Sequence, residues 1–211
     1  MKRNLLAAAA LAFTAISSAH AAGITGLVNT GVGISGQSDG NYALSSAVSS
    51  TAVITYDSQW PIGPWLANSS ASKWITPTAG QGDTFDPSTS GIYTYTLSFD
   101  LSGYNAASAA FSGRFAADNS VVVKLNDQVI GNATGFSDWT SFSASGGFAP
   151  GVNTLDFVVT NWAQNGGNPT GLRVEFGSSS VMAAVPEPET YAMLLGGLVL
   201  VGAVVRRRKP Q

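Results

Sequence analysis

The chain has no cysteine, one histidine and few charges, with 10 basic and 12 acidic residues in 211. Without cysteine there is no disulfide framework, no thiolate nucleophile and no zinc–sulfur site, so stability must come from the hydrophobic core. The single histidine, His20, sits in Ala19-His20-Ala21, after a basic Met1-Lys2-Arg3 and an apolar, alanine-rich Leu5 to Ile16. Basic, apolar and small residues in that order read as a secretory signal peptide, residues 1–21, cut by signal peptidase after Ala21. Its removal leaves neither histidine nor cysteine, which excludes serine–histidine and cysteine–histidine catalysis in the mature chain. Amphipathic helical periodicity and βαβ spacing are also missing.

Positive charge is scarce where it would matter for nucleic acid. Residues 22–184 carry Lys73, Arg114, Lys124 and Arg173 against nine aspartates and Glu175, a net negative balance of six. Nucleic-acid affinity rests on clustered Lys and Arg at phosphates, so that partner is excluded. The 24 glycines and abundant serine, threonine and asparagine fit a β-rich surface with tight turns.

The dominant period of this body is two, the mark of half-buried strands. Tyr93, Tyr95, Leu97, Phe99 and Leu101 alternate with Ile92, Thr94, Thr96, Ser98 and Asp100. Ala109, Phe111, Gly113 and Phe115 repeat the alternation, followed by Val121, Val123 and Leu125. Asn126-Asp127 reads as a two-residue hairpin turn into Gln128-Val129-Ile130. Phe136, Trp139 and Phe142 mark a short strand, and Leu155, Phe157 and Val159 begin another. Leu172, Val174 and Phe176 form the last, with Arg173 and Glu175 outward. Earlier in the chain, Gly23 to Ile34 and Thr51 to Tyr56 read as strands divided by a serine-glycine loop. Trp60 to Pro87, with four prolines, reads as a long loop at one end, and Gly177 to Ala184 as a disordered linker. The pattern predicts an all-β, antiparallel sandwich of two sheets.

Ser112-Gly113-Arg114-Phe115-Ala116-Ala117-Asp118-Asn119, Val123-Lys124-Leu125-Asn126-Asp127, Pro150 to Leu155, Asn161 and Gly171 to Glu175 together carry a likeness. This stretch resembles the galactose-binding-like jelly roll of carbohydrate-binding modules and of the sugar-binding domain of family 2 glycoside hydrolases. In that family the hairpin reads Leu-Asn-Gly; here Asp127 takes the glycine position, which aspartate accommodates because it tolerates the left-handed region. The resemblance implies a jelly-roll β-sandwich over 22–184.

Three catalytic patterns occur by chance in this glycine- and serine-rich chain. Gly31-Val32-Gly33-Ile34-Ser35-Gly36 matches the dinucleotide fingerprint but has no βαβ context. Gly36-Gln37-Ser38-Asp39-Gly40 matches a nucleophile elbow without a histidine base, and Ser70-Ala71-Ser72-Lys73 lacks the Lys-Thr-Gly partner of β-lactamases. Two aspartates facing across a glycosidic bond would make a glycosidase, but aspartates in turns are better explained as turn formers. The expectation is therefore a non-enzyme. A metal site without histidine or cysteine would use oxygen ligands and hold calcium, and the galactose-binding-like resemblance points to Asp118 and Asn119 for it. No other cofactor is implied.

Aromatic residues supply the hint of a ligand. Sugar rings stack on indoles while amides and carboxylates bind hydroxyls. Trp74 and Trp162, the latter beside Asn161, are the candidate glycan-binding residues. Trp60 and Trp65 read as caps on the core, and Trp139 as core.

The last 27 residues hold Val185-Pro186-Glu187-Pro188, an apolar run Tyr191 to Val205, and Arg206-Arg207-Arg208-Lys209. Paired prolines predict a segment outside any helix. The 15 residues of 191–205 would rise about 22 Å as a helix, short of the ~30 Å hydrocarbon core, so they span a membrane only with the basic cluster snorkelling as a cytoplasmic stop. This order resembles the PEP-CTERM sorting signal of Gram-negative bacteria, whose Pro-Glu-Pro motif, short transmembrane helix and arginine cluster are recognised by an exosortase, a membrane cysteine protease-transpeptidase. The resemblance implies transient inner-membrane anchoring, then delivery to the surface or extracellular matrix. Such tails are also grouped with ice-binding proteins, yet a flat Thr-x-Thr array is missing, Thr94-Tyr95-Thr96 being flanked by large aromatics. The expected function is adhesion or weak carbohydrate binding in an exopolysaccharide layer. A coat protein without a ligand and an aspartate glycosidase are the alternatives.

Overall fold

The computed structural model describes residues 21–184 and 188–207. The body, Ala21–Met182, is one compact unit; the C-terminal helix belongs to another. Nine strands build the body: β1 Ala21–Ala22, β2 Ser38–Ser46, β3 Thr51–Ile54, β4 Ile75–Thr76, β5 Gly91–Asp100, β6 Tyr104–Leu125, β7 Gln128–Ala144, β8 Val152–Asn161 and β9 Gly171–Ala183. They run in the order β1-β9-β4-β3-β2-β5-β8-β6-β7, and a further pairing of β9 with β6 closes the sheet.

The all-β antiparallel expectation holds, but two separate sheets do not form. The cause is β6. Its first part lies beside β9, with Ser112 and Ser178 hydroxyls 2.9 Å apart, while Ser120–Leu125 pairs with β8. Register shifts against β7 after Phe115, Ala117 and Val123 let the long hairpin bend from one layer into the other. The two apolar runs expected as separate strands are therefore one 22-residue strand.

β5 follows the period-two reading: Tyr93, Tyr95, Leu97 and Phe99 are buried, and ten consecutive residues pair with β8. Asn126 and Asp127 have φ of 47° and 66°, the two left-handed positions of a tight hairpin turn, so Asp127 does take the place of glycine. Phe111, Phe115, Phe142 and Phe157 meet edge-on in the core, with neighbouring ring centroids 5.6–5.8 Å apart.

Four local expectations are corrected. Gly23 to Ile34 is not a strand: Gly31, at φ 70°, donates its N–H to Asp39 at 2.7 Å, and the chain there turns. The serine-glycine segment behind it instead forms β2, because Tyr42 and Leu44 reach the core from alternate positions. Gly177–Ala183 is no linker but the end of β9, paired through Val181 and Met182 with Ala22 and Ala21. Arg173 and Glu175 do point away from the barrel core, yet the 60–74 loop covers them and both are buried.

The helix α1 runs Pro188–Arg207. Pro188 opens it, contrary to the expectation that both prolines stay outside; proline is tolerated at a first helical position, where its missing N–H has no partner to lose. Arg206 and Arg207 close it. Among the described residues no helix is long and apolar enough to cross a membrane. The expected signal peptide up to His20, Val185, Pro186, Glu187, Arg208 and Lys209 lie outside the described residues.

Candidate functional site

The proline-rich loop is held on the body by its tryptophans. Pro61 and Pro64 bracket a tight segment that leaves Trp60 at the surface, 47% exposed, and turns Trp65 inward. Trp65 donates its indole N–H to Asp118 Oδ2 at 2.8 Å. Its ring lies where any side chain on residue 171 would sit, since a Cβ built there meets Trp65 Cη2 at 2.8 Å; only glycine admits it. Leu66 N–H donates to Phe136 O at 2.8 Å and fixes the loop to β7.

Trp74 is 0% exposed, its ring centroid 4.3 Å from that of Trp65 and its N–H donated to Leu66 O at 2.8 Å. It presents no face to a sugar, which corrects its place among the glycan-binding candidates. Asn161 is also buried, its amide donating to Asp86 Oδ2 at 2.8 Å to fix the end of β8. Trp162 stays on the surface, 51% exposed, and its backbone N–H donates to Asn119 Oδ1 at 2.7 Å. Of the three expected residues, Trp162 alone is on hand for a ligand.

Trp60, Trp65, Asp118, Asn119, Gln164 and Asn168 line a cleft of about 130 Å³, with Pro61, Pro64 and Pro169 as stiff walls. Asp118 is its only ionisable lining residue. It is 5% exposed, and its Oδ1 is buried with no hydrogen-bond partner. Burial pushes the carboxyl up to about 6, against the opposing pull of the Trp65 N–H. Thr170 donates to the Asp118 backbone carbonyl at 2.6 Å, locking this turn of β6 to the start of β9. The peptide bonds Trp60–Pro61 and Asp118–Asn119 are both cis.

The pair Asp118 and Asn119 does not fit a calcium ion. Calcium takes about six to eight oxygens, whereas Asp118 Oδ2 and Asn119 Oδ1 already accept from Trp65 and Trp162. Among the described residues no cluster of three acidic or histidine side chains occurs.

A larger groove, about 540 Å³, lies over β6, β7 and β9 between Arg114, Phe142, Glu175 and Phe176. Its charges serve each other. Arg114 Nε donates to Glu175 Oε2 at 2.8 Å, and Ser72 donates to Glu175 Oε1 at 2.7 Å. Arg173 donates to Ser72 Oγ at 2.7 Å and also to Ala67 O, and both guanidiniums lie over the Trp139 ring, 4.5 and 4.8 Å from its centre. This network fastens the 60–74 loop to β9 and leaves no buried group wanting a partner. The smaller cleft does, so it is the better candidate.

The cleft lies at the start of β9, beside Gly171, whereas the chain leaves the body at Met182, eleven residues on. At ~3.3 Å per residue the strand between them is about 36 Å long, which sets the cleft far along β9 from the exit of the tail.

In the sequence Trp60 reads as a cap on the core, Gln164 and Asn168 are not singled out, and Asp118 stands as a candidate calcium ligand. The spacing Trp60-Pro61-Ile62-Gly63-Pro64-Trp65 was the available signal, since two prolines hold two indoles apart.

Comparison with known proteins identifies the tail: residues 184–209 match the PEP-CTERM protein-sorting motif. No curated protein matches the chain in sequence. Solved structures similar to it include a family 29 carbohydrate binding module, 10% identical, covering 81% of this chain and 97% of that one, with a TM-score of 0.37. Another is the PA14 sugar-binding domain of an RTX adhesin, 17% identical, covering 47% of this chain and 56% of that one, TM-score 0.28. Neither likeness bears on what this body binds.

Proposed function

We propose that this chain is an exported envelope protein of a Gram-negative bacterium, processed by an exosortase through its PEP-CTERM tail, whose body holds carbohydrate in the surrounding polysaccharide layer. The tail motif supports the sorting half. In this reading α1 occupies the inner membrane until cleavage, its short apolar run extended by the arginine cluster.

One observation carries the binding half: a buried carboxylate with an unpaired oxygen in a cleft rimmed by half-exposed Trp60, with Trp162 tied to its edge. Indoles offer faces for sugar rings, and an ionised carboxylate is a strong acceptor for their hydroxyls. The glycosidase alternative needs two carboxylates about 5–9 Å apart, and Asp118 is the single one lining this cleft.

The test is retention of the full-length chain on exopolysaccharide extracted from the producing cells, beside mass spectrometry of the chain recovered from the cell surface. The reading expects retention that Trp60→Ala weakens, and a surface form lacking residues 206–211. A chain that washes through, or one that keeps its basic end in wild-type cells, contradicts the corresponding half.

A further inference from the structure

The geometry points to a chain-end site: the Asp118 cleft takes the edge of one uncharged, hydroxyl-bearing sugar ring and rejects carboxylated sugars. This rests on the carbohydrate-binding reading and narrows it to a substrate class.

Size comes first. A cavity of about 130 Å³ holds the bulk of about four waters at roughly 30 Å³ each, and falls below the ~300–1,000 Å³ of sites that enclose drug-sized ligands. Pro61, Pro64 and Pro169 cannot swing away to lengthen it, and the loop of Gln164 is closed by its own amide, which donates to Gly166 O and Gly167 O at 3.0 and 3.2 Å. The cavity is less than the bulk of one hexose, so it seats the hydroxyl-bearing edge of a single ring against the exposed Trp60, while a chain running across the body finds no continuation. The ligand therefore meets the cleft by an end.

Charge comes second. Every other lining residue is apolar, amide or glycine, so no cation in the cleft is available to an incoming carboxylate. Asp118 itself repels one at short range in a weakly solvated setting, where like charges cost most. A hydroxyl is the complementary group. Oδ2 is engaged by Trp65, and Oδ1 is a covered acceptor for which the protein supplies no donor. A small turn of the carboxyl group lets a ring hydroxyl entering the cleft supply it. Ionised Asp118 accepts more strongly than the protonated acid, so binding strengthens as pH rises through the middle of the 5–7 range. The donors and charges around Asp118 are few: Trp65 from the loop, Thr170 at the start of β9, and no titratable side chain from β7 or the 162–169 turn in the cleft wall.

The experiment titrates the full-length chain, in a zwitterionic detergent without a sugar head group, with the methyl glycosides of glucose, galactose and mannose and of glucuronic and galacturonic acid. Tryptophan fluorescence and calorimetry are the readouts, at pH 5 and 7.5. At least one neutral glycoside is expected to saturate the protein, more tightly at pH 7.5, with both uronides at least about tenfold weaker. Asp118→Asn should lose about tenfold and the pH dependence with it. Trp60→Ala, an exposed position that leaves the core intact, should lose binding even if the Asp118 variant folds poorly. Uronides that bind as well as the neutral sugars, or an Asp118→Asn variant with wild-type affinity, overturn the inference. Retention on the native polysaccharide without any response to neutral glycosides would leave carbohydrate binding standing and place it elsewhere, overturning the cleft assignment alone.

Discussion

Trp65 Nε1 lies 2.8 Å from Asp118 Oδ2, across 53 positions of sequence, while the second oxygen of the same carboxylate has no partner. This half-satisfied pairing ties the proline loop to the bend of β6 and leaves an acceptor beside the cleft. It also makes the site costly to maintain, because a buried ionised group with incomplete hydrogen bonding opposes folding.

That cost is measurable. The Asp118 carboxyl rises on folding from 3.8 to about 6, so the folded chain binds the proton more tightly than the unfolded one. Its effect on stability is most favourable below pH 3.8 and declines until about pH 6. Relative to Asp118→Asn, wild-type stability should fall by roughly 2–3 kcal/mol across that window and be level above it, read as urea midpoints against pH. A flat difference would mean that the carboxyl is solvated.

Glu175 behaves in the opposite sense. Burial pushes its carboxyl up, but donation from Ser72 and Arg114 and the nearby guanidinium charges outweigh this and hold it below its ordinary 4.5. Its contribution is complete above pH 4.5 and lost as pH falls through the lower folded value, so Glu175→Gln should cost stability at pH 7 and converge with wild type in acid. Arg173→Met removes the bonds from its guanidinium to Ala67 O and to the Ser69 and Ser72 hydroxyls while Arg114 still pairs with Glu175; it should cost about 1–3 kcal/mol and expose the 60–74 loop to protease.

The tryptophans separate by burial. Trp74→Ala removes a fully buried indole and should cost about 3–5 kcal/mol in urea unfolding. Trp162→Ala, at a half-exposed position, should stay within about 0.5 kcal/mol of wild type while weakening retention on polysaccharide.

At the hairpin, Asp127 has φ 66°. Asp127→Gly should be neutral or slightly stabilising, and Asp127→Val should cost about 1–2 kcal/mol, since a β-branched residue resists the left-handed region. Equal stability of the two variants would contradict the turn geometry.

What was legible in the sequence follows the range of the interactions. β5 and the Asn126-Asp127 turn were plain because alternation and left-handed tolerance are local properties. The fate of each tryptophan was not: whether Trp65 or Trp60 goes inward depends on Gly171 and Asp118, far along the chain, and the burial of Trp74 follows from Trp65. Arg173 and Glu175 alternate as outward residues should, and only the loop folding over them reverses the conclusion. The break in strand pattern near Gly23 to Ile34 was hidden because Asp39 holds Gly31 from the next element. The sorting tail was legible in full as a motif because composition and order alone define it.

The most direct test of carbohydrate binding at this cleft is nuclear magnetic resonance of the five indole N–H signals during titration with the native exopolysaccharide. Trp60 in the cleft wall, Trp65, which donates to Asp118, and Trp162, whose backbone N–H is held by the lining residue Asn119, should shift together and saturate, while Trp139, beneath Arg114, stays in place. Shifts confined to Trp139, or no shifts at all, would contradict the account.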